Sequence, residues 1–150
     1  MRATPARWIR TTAVPQNTPR DPLATDPALA RRLERLGLEF QARFHEIALR
    51  HRGEDPEILA ELGHALTRLG RYQEGLAVDH RLVARAPDNP TVHYNLACSL
   101  CLCGQRAQAL DALERSIELG YDDAEHLLGD EDLAALREDA RFQGLVARLT

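Results

Sequence analysis

Large apolar side chains recur every three or four positions between residues 26 and 50. They are Leu29, Leu33, Leu36, Phe40, Phe44 and Ile47, followed by Ala48. This spacing is typical of one face of an α-helix. Asp26-Pro27 supplies a capping side chain and a proline for the first turn. The pattern predicts an N-terminal helical segment over 26–52, which Gly37 could kink or divide. Whether its stripe packs within the chain or across a homo-oligomer is left open by the sequence.

From Pro56 onward the chain repeats itself at an offset of 34 residues. The identical pairs are Pro56 with Pro90, Leu62 with Leu96, Leu66 with Leu100, Gly70 with Gly104, Leu76 with Leu110 and Arg81 with Arg115. A single helical hairpin cannot bury its own apolar face, so we expect the two units to stack side by side. The repeat predicts a first unit over 56–89 and a second over 90–123.

Both units resemble tetratricopeptide repeats. The matching residues are Leu59, Leu62, Gly63, Leu66, Gly70, Tyr72, Gly75 and Pro87 in the first unit, and His93, Leu96, Ala97, Leu100, Gly104, Ala109, Leu113 and Ser116 in the second. Asp79 stands where the family pattern has an aromatic residue, so we expect the outer helix of the first unit to meet a polar group there. The resemblance implies an all-α superhelix of tetratricopeptide-type helical hairpins.

The C-terminal residues resemble the end-of-group terminus of bacterial tetratricopeptide arrays. The resemblance rests on residues 94–98, 120–121, 130–137 and 139–142. Asp130 and Asp139 can cap two short helices, whose apolar residues would cover the exposed face of the second unit. Those apolar residues are Leu133, Leu136, Phe142, Leu145 and Leu149. We therefore expect capping helices over 124–149, which complete a single helical domain spanning 26–149.

Composition and charge narrow the classes of function. The 150 residues are 44% hydrophobic and carry a formal charge of −4, which suits one domain and does not favour a broad basic face for nucleic acid. No apolar run approaches the ~20 residues that span a bilayer. The three cysteines are odd in number and crowded together, unlike a disulfide framework. The sequence predicts a cytoplasmic, bacterial protein that binds neither nucleic acid nor a membrane.

Residues 1–25 differ in composition from the rest of the chain. They contain four prolines, and the first twenty include four arginines and no acidic residue. This composition predicts a flexible basic arm. Its bulky apolar pair, Trp8-Ile9, could dock on an acidic partner or on the protein's own groove, although the composition favours a plain disordered tail.

The resemblance also implies a concave face, built from the inner helices of the two units, that binds a partner peptide or helix. The predicted partner-binding residues are Glu57, Glu61, His64, Arg68, Thr91, Tyr94, Asn95, Cys98 and Cys101. Ala60 and Glu61 break the Lys/Asn/Arg pattern of relatives that clamp a C-terminal carboxylate, so we do not expect that ligand. Alternatively, the groove is filled by residues 27–51 or by the arm.

A metal or redox site is the alternative of another class. Cys98 and Cys101 lie on adjoining positions of a helix, and His64 occupies the position of Cys98 in the preceding unit. Structural zinc takes four ligands and no fourth is evident, while cysteines on an apolar helix usually pack. Neither a triad spacing nor a glycine-rich phosphate loop is present. The resemblance implies a non-catalytic adaptor or scaffold without cofactors, with a small assembly or secretion chaperone as the alternative.

Overall fold

A computed structural model describes residues 26–150, and this part of the chain is helical with no strand. Its helices are α1 (Pro27–Arg52), α2 (Pro56–Arg68), α3 (Tyr72–Arg85), α4 (Pro90–Leu102), α5 (Arg106–Glu118), α6 (Ala124–Gly129), a 3-10 helix (Glu131–Leu136) and α7 (Ala140–Ala147). The predicted all-α fold, an array of tetratricopeptide-type hairpins with C-terminal capping helices, is confirmed. The arm, with Trp8 and Ile9, lies outside the described residues.

Each helix packs against the next along the chain, from α1 through α5. Helices α2 and α4 begin 34 residues apart, and so do α3 and α5. Asp55 and Asn89 cap α2 and α4 by accepting hydrogen bonds from backbone N–H groups of their first turns. Gly70 and Gly104 follow the same two helices with φ of 75° and 77°, a left-handed conformation that glycine adopts without a steric penalty. The repeated residues therefore produce the same turn twice.

Gly104→Ala tests this turn. We expect it to lower the free energy of unfolding by about 1–2 kcal/mol, because alanine is strained at positive φ. Gly144→Ala is the matched control: Gly144 lies in α7 at negative φ with nothing within 4 Å of an added Cβ, so it should be neutral or stabilise by up to about 1 kcal/mol. Urea denaturation of both variants measures the difference, and equal effects would contradict the role of Gly104.

The buried apolar residues form two clusters. One lies among α1, α2 and α3 and includes Leu59 and Leu82. The other joins α4 and α5 to the C-terminal segment, residues 124–149. Four of the five predicted capping residues are buried in it, namely Leu133, Leu136, Phe142 and Leu145, whereas Leu149 is half-buried. Arg141 of α7 also pairs with Asp111 and Glu114 of α5 at 2.7 and 2.8 Å. The C-terminal segment is thus part of the core of the second hairpin.

Helix α1 is continuous through Gly37, which does not divide it into separate elements. Its buried residues are Leu38, Ala42 and Leu49. At 100° per residue these lie on the side of the helix opposite Phe40, so the predicted apolar stripe is not the face that packs on α2. The stripe is exposed instead, since Ala42 and Leu49 on the other side are the residues of α1 that join the buried cluster with α2.

Candidate functional site

The inner face of the array is closed over α4 and open over α2. The 3-10 helix packs on α4, where Tyr94, Cys98 and Cys101 are only 4%, 8% and 5% exposed. These three side chains were expected to contact a partner, but they pack against the chain's own C-terminal segment. The segment that covers α4 is therefore not residues 27–51, which were one of the two alternatives considered from the sequence. The other alternative, the arm, lies outside the described residues. On α2, by contrast, Glu57, Glu61, His64 and Arg68 are exposed.

Asp130 connects the C-terminal segment to α4 through hydrogen bonds. Its Oδ1 accepts a hydrogen bond from the backbone N–H of Asp132 at 2.9 Å, which caps the 3-10 helix as the sequence predicts. Its Oδ2 accepts one from the Tyr94 hydroxyl at 2.6 Å and a longer contact from the Cys98 thiol at 3.7 Å. One carboxylate therefore starts the capping helix and holds it against the second inner helix.

Aromatic stacking beside Asp130 also holds the segment after α5 against α4. The ring of Tyr94 stacks on Tyr121 at 4.6 Å and on His126 at 5.2 Å between centroids. The hydroxyl of Tyr121 and Nδ1 of His126 lie 2.8 Å apart in a hydrogen bond. Burial is the main reason that the pKa of both tyrosines is raised, to about 12 for Tyr121. The stacked rings, the Tyr94 hydroxyl that donates to Asp130 and the bond between Tyr121 and His126 hold the segment that follows α5 in place.

A pocket of about 260 Å³ remains between α2, α4 and the C-terminal segment. Ala60, Gly63, His64 and Thr67 line it from α2, Tyr94, Asn95, Cys98 and Ser99 from α4, Asp79 from α3, and His126, Asp130 and Asp132 from the C-terminal segment. His64 is exposed and Asn95 half-buried at this opening. Burial and the nearby Asp130 raise the pKa of Asp132, while His64 lowers it. The wall carries three carboxyl groups and no arginine or lysine.

Asp79 forms the floor of this pocket and is 4% exposed. Its Oδ2 accepts a hydrogen bond from the hydroxyl of Ser99 at 2.5 Å, so the polar partner expected from the sequence is Ser99. Burial raises the pKa of Asp79 to about 6, although the hydrogen bond from Ser99 opposes the shift. Gly63 makes room for the carboxyl group, since a Cβ there would lie 2.8 Å from Oδ1.

A second pocket of about 590 Å³ lies between α1 and α2. Phe44, His45, Ala48 and Arg52 line it from α1, and Glu57, Ile58, Ala60 and Glu61 from α2. Ala60 belongs to both pockets, so they adjoin along the exposed side of α2. The second pocket combines an apolar wall with the two glutamates that were predicted to contact a partner.

Two other predicted residues lie at the margins of this face. Arg68 is exposed but forms an ion pair with Glu34 of α1, which ties the end of α2 to α1. Thr91 is exposed in the first turn of α4, where its backbone N–H bonds the capping Asn89 at 3.0 Å. Neither residue lines either of the two pockets along α2.

The metal alternative gains no support from the geometry. Within residues 26–150, no group of three or more His, Cys, Asp or Glu side chains is placed to hold a metal ion. Cys98 faces the first pocket, whereas Cys101 faces the 3-10 helix near Ala135. Burial raises the pKa of both thiols, and thiolate ligands need the opposite shift.

None of the helices between residues 26 and 150 has the length and apolar content needed to cross a membrane. Comparison with protein-family models and with curated proteins found no match. Among solved structures, the chain is similar to a MamA RS-1 ArsTM double mutant, with 21% identity, 80% of this chain and 89% of that chain covered, and a TM-score of 0.35. It is similarly related to MamA 41-end from Desulfovibrio magneticus RS-1, with 20% identity, the same coverage and the same TM-score.

Proposed function

We propose that this protein is a non-catalytic protein-binding module that docks a partner peptide or helix along the exposed side of α2. The observation that carries the proposal is the pair of adjoining pockets that share Ala60 and leave Glu57, Glu61 and His64 open. Helical-hairpin arrays bind ligands in such concave surfaces, and here α4 is already covered by the C-terminal segment. Docking therefore depends on α2 and its borders with α1 and α4.

The two pockets define the chemistry of the partner segment. The pocket beside α1 offers Phe44, Ala48 and Ile58 to an apolar side chain. The adjoining walls carry Glu57 and Glu61 against a single cation, Arg52, and, in the first pocket, Asp130 and Asp132. Carboxylates attract guanidinium and ammonium groups and repel acidic groups. The partner segment would thus pair an apolar anchor with basic residues, and an acidic C-terminal tail would be disfavoured.

The arm of this chain has the same chemistry as the proposed partner segment. Trp8-Ile9 is flanked by Arg7 and Arg10, and no acidic residue occurs among the first twenty. We therefore retain Trp8 and Ile9 as a docking peptide that competes for the α2 face in cis or in trans. A synthetic peptide of residues 1–20 tests this competition directly, because it should displace a bound partner segment, whereas its arginine-to-glutamate version should not.

Affinity purification from the native cell, with the full chain as bait, tests the proposed function. The test variant is Glu57→Arg with Glu61→Arg, which reverses the charge of the α2 face at two exposed positions. We expect it to lose at least about 90% of the specifically captured partner, because two opposite-charge contacts become like-charge contacts. Quantitative mass spectrometry of the eluates measures this loss.

Glu118→Arg is the matched control, since Glu118 is an exposed acid on the outer helix α5. It should capture the same partners as the unmodified chain. Circular dichroism should show that all three proteins fold alike, because every substituted position is exposed. If the α2 variant and the control capture identical proteins in equal amounts, the α2 face is not the docking surface.

A further inference from the structure

The six large apolar side chains along α1 form a second unpartnered surface, which the proposed function does not use as a whole. Leu29, Leu33, Leu36, Phe40, Phe44 and Ile47 are between 42% and 70% exposed. They fall within one sector of the helix, opposite the residues that pack on α2. Monomeric proteins rarely expose a contiguous apolar stripe of this length, which indicates that another surface covers it.

The spacing within the stripe is that of a helix–helix seam. Leu33, Phe40 and Ile47 are seven residues apart, and so are Leu29 and Leu36. The six residues follow one another at steps of four, three, four, four and three residues, so the spacing is that of a heptad repeat from Leu29 to Phe40 and shifts by one residue at Phe44. Such a stripe is buried against another helix rather than against a loop. The fitting occupant is therefore a long apolar helix.

Helix α1 extends beyond α2, and this leaves its stripe accessible to such a helix. With 26 residues, α1 is about 39 Å long, whereas the 13 residues of α2 cover only about 20 Å of it. Leu38 is the first buried residue of α1. The first ion pair between α1 and α2 joins Glu34 to Arg68. The turns before Glu34 extend beyond α2 with Leu29 and Leu33 exposed.

The arm does not suit this surface. Its 25 residues contain Pro5, Pro15, Pro19 and Pro22, which interrupt any helix long enough to follow the stripe. Its apolar residues are also too few to match six large side chains. A second copy of this chain, by contrast, brings an identical helix with an identical stripe.

We propose that α1 pairs with α1 of a second copy in an antiparallel arrangement centred on Leu38. The stripe runs from Leu29 to Ile47, and its midpoint is residue 38. Antiparallel pairing about that point sets Leu29 opposite Ile47 of the other copy and Leu36 opposite Phe40. The same register places Leu33 and Phe44 beside the alkyl stems of Arg43 and Arg32, which can pack on apolar side chains. Arg32 then lies near Glu46 of the other copy, whereas parallel pairing would separate these two charges. Glu46 is half-buried and also faces Arg71 of its own copy.

The area of the stripe is adequate for a stable pair. At the observed exposures the six side chains present roughly 600 Å² per copy, so pairing buries about 1,200 Å² in total, which reaches the range of specific interfaces. An interface at this lower limit predicts dissociation at micromolar rather than nanomolar concentrations. The dimer should therefore depend visibly on concentration.

Sedimentation equilibrium of the full chain tests the proposal. We expect a mass of twice 16.8 kDa at roughly 50 μM and dissociation on dilution. Leu36→Glu with Phe40→Glu should weaken the pair at least about 100-fold, because it places charges at the centre of an apolar seam. Gln41→Glu is the matched control, since Gln41 is exposed on the same helix outside the stripe, and it should dimerise like the unmodified chain.

The orientation is tested by exchanging the flanking charges. Arg32→Glu and Glu46→Arg should each weaken the pair several-fold, and the double variant should restore it, because the two sites face each other only in the antiparallel arrangement. Failure of this rescue would overturn the orientation. A monomer at every concentration up to roughly 200 μM, or a dimer unaffected by the glutamates at 36 and 40, would overturn the proposal itself, leaving docking on α2 untouched.

Discussion

Tyr94→Ala should lower the free energy of unfolding by about 3–5 kcal/mol, which is the usual cost of removing a buried aromatic ring. The ring is almost fully buried and stacks on Tyr121 and His126, so its loss leaves a cavity beneath the C-terminal segment. It also removes the hydroxyl that donates to Asp130 at 2.6 Å. Chemical denaturation followed by circular dichroism measures the change.

Tyr94→Phe separates the contribution of the hydroxyl to stability from that of the ring. It keeps the packing but leaves Oδ2 of Asp130 with only the long contact from Cys98, so we expect a loss of about 1–3 kcal/mol. If Tyr94→Ala left the free energy of unfolding within about 0.5 kcal/mol of that of the unmodified chain, Tyr94 would behave as an exposed side chain. That result would contradict the conclusion that the C-terminal segment covers the inner face over α4.

Asp79→Asn should stabilise the protein by about 1–3 kcal/mol at pH 7 and by nothing at pH 3. The pKa of Asp79 is about 6 in the folded state, above its usual value of 3.8, because the carboxyl group is buried. As the pH rises from about 4 to about 6, the unfolded chain loses this proton first, and ionisation therefore favours unfolding. Above that range the folded protein holds a buried charge, which asparagine removes while still accepting from Ser99.

Urea denaturation at pH 3, 5 and 7 measures this dependence. The difference in stability between Asp79→Asn and the unmodified chain should grow across the series. Asp122→Asn, at an exposed position after α5, is the matched control and should give no comparable gain at pH 7. A variant at position 79 that is no more stable than the unmodified chain at pH 7 would show that Asp79 is not held in a costly ionised state.

The local features of the fold could be predicted from the sequence because their signals lie within a few residues. Each capping aspartate precedes its helix directly, and the capping side chains of Asp26, Asp130 and Asp139 all accept from the helix they begin. The 34-residue offset fixes the starts of the inner and outer helices. Asp79 was also informative, because a carboxyl group at an aromatic position requires a polar neighbour when it is buried.

The sequence predicted that the capping helices cover the second unit, but not that they close the inner face of α4, because this depends on contacts between residues far apart in sequence. Tyr94 and Asp130 are 36 positions apart, and neither residue type nor spacing marks them as a pair. The sequence also left open what covers the apolar stripe of α1. Periodicity shows that a helix has an apolar face, but it does not show whether the core or another surface receives it, and here Leu38, Ala42 and Leu49 face the core.

Thiol labelling tests most directly whether the inner face is closed over α4 and open over α2. The reagent is a maleimide, the proteins are the unmodified chain and His64→Cys, and tandem mass spectrometry assigns the labelled sites. We expect the introduced thiol to react fast, because position 64 is exposed, and Cys98 and Cys101 to react at least about 100-fold more slowly than in the denatured chain. Cys98 and Cys101 reacting as fast as the introduced thiol would contradict the covered face, since it would place α4 in open contact with solvent.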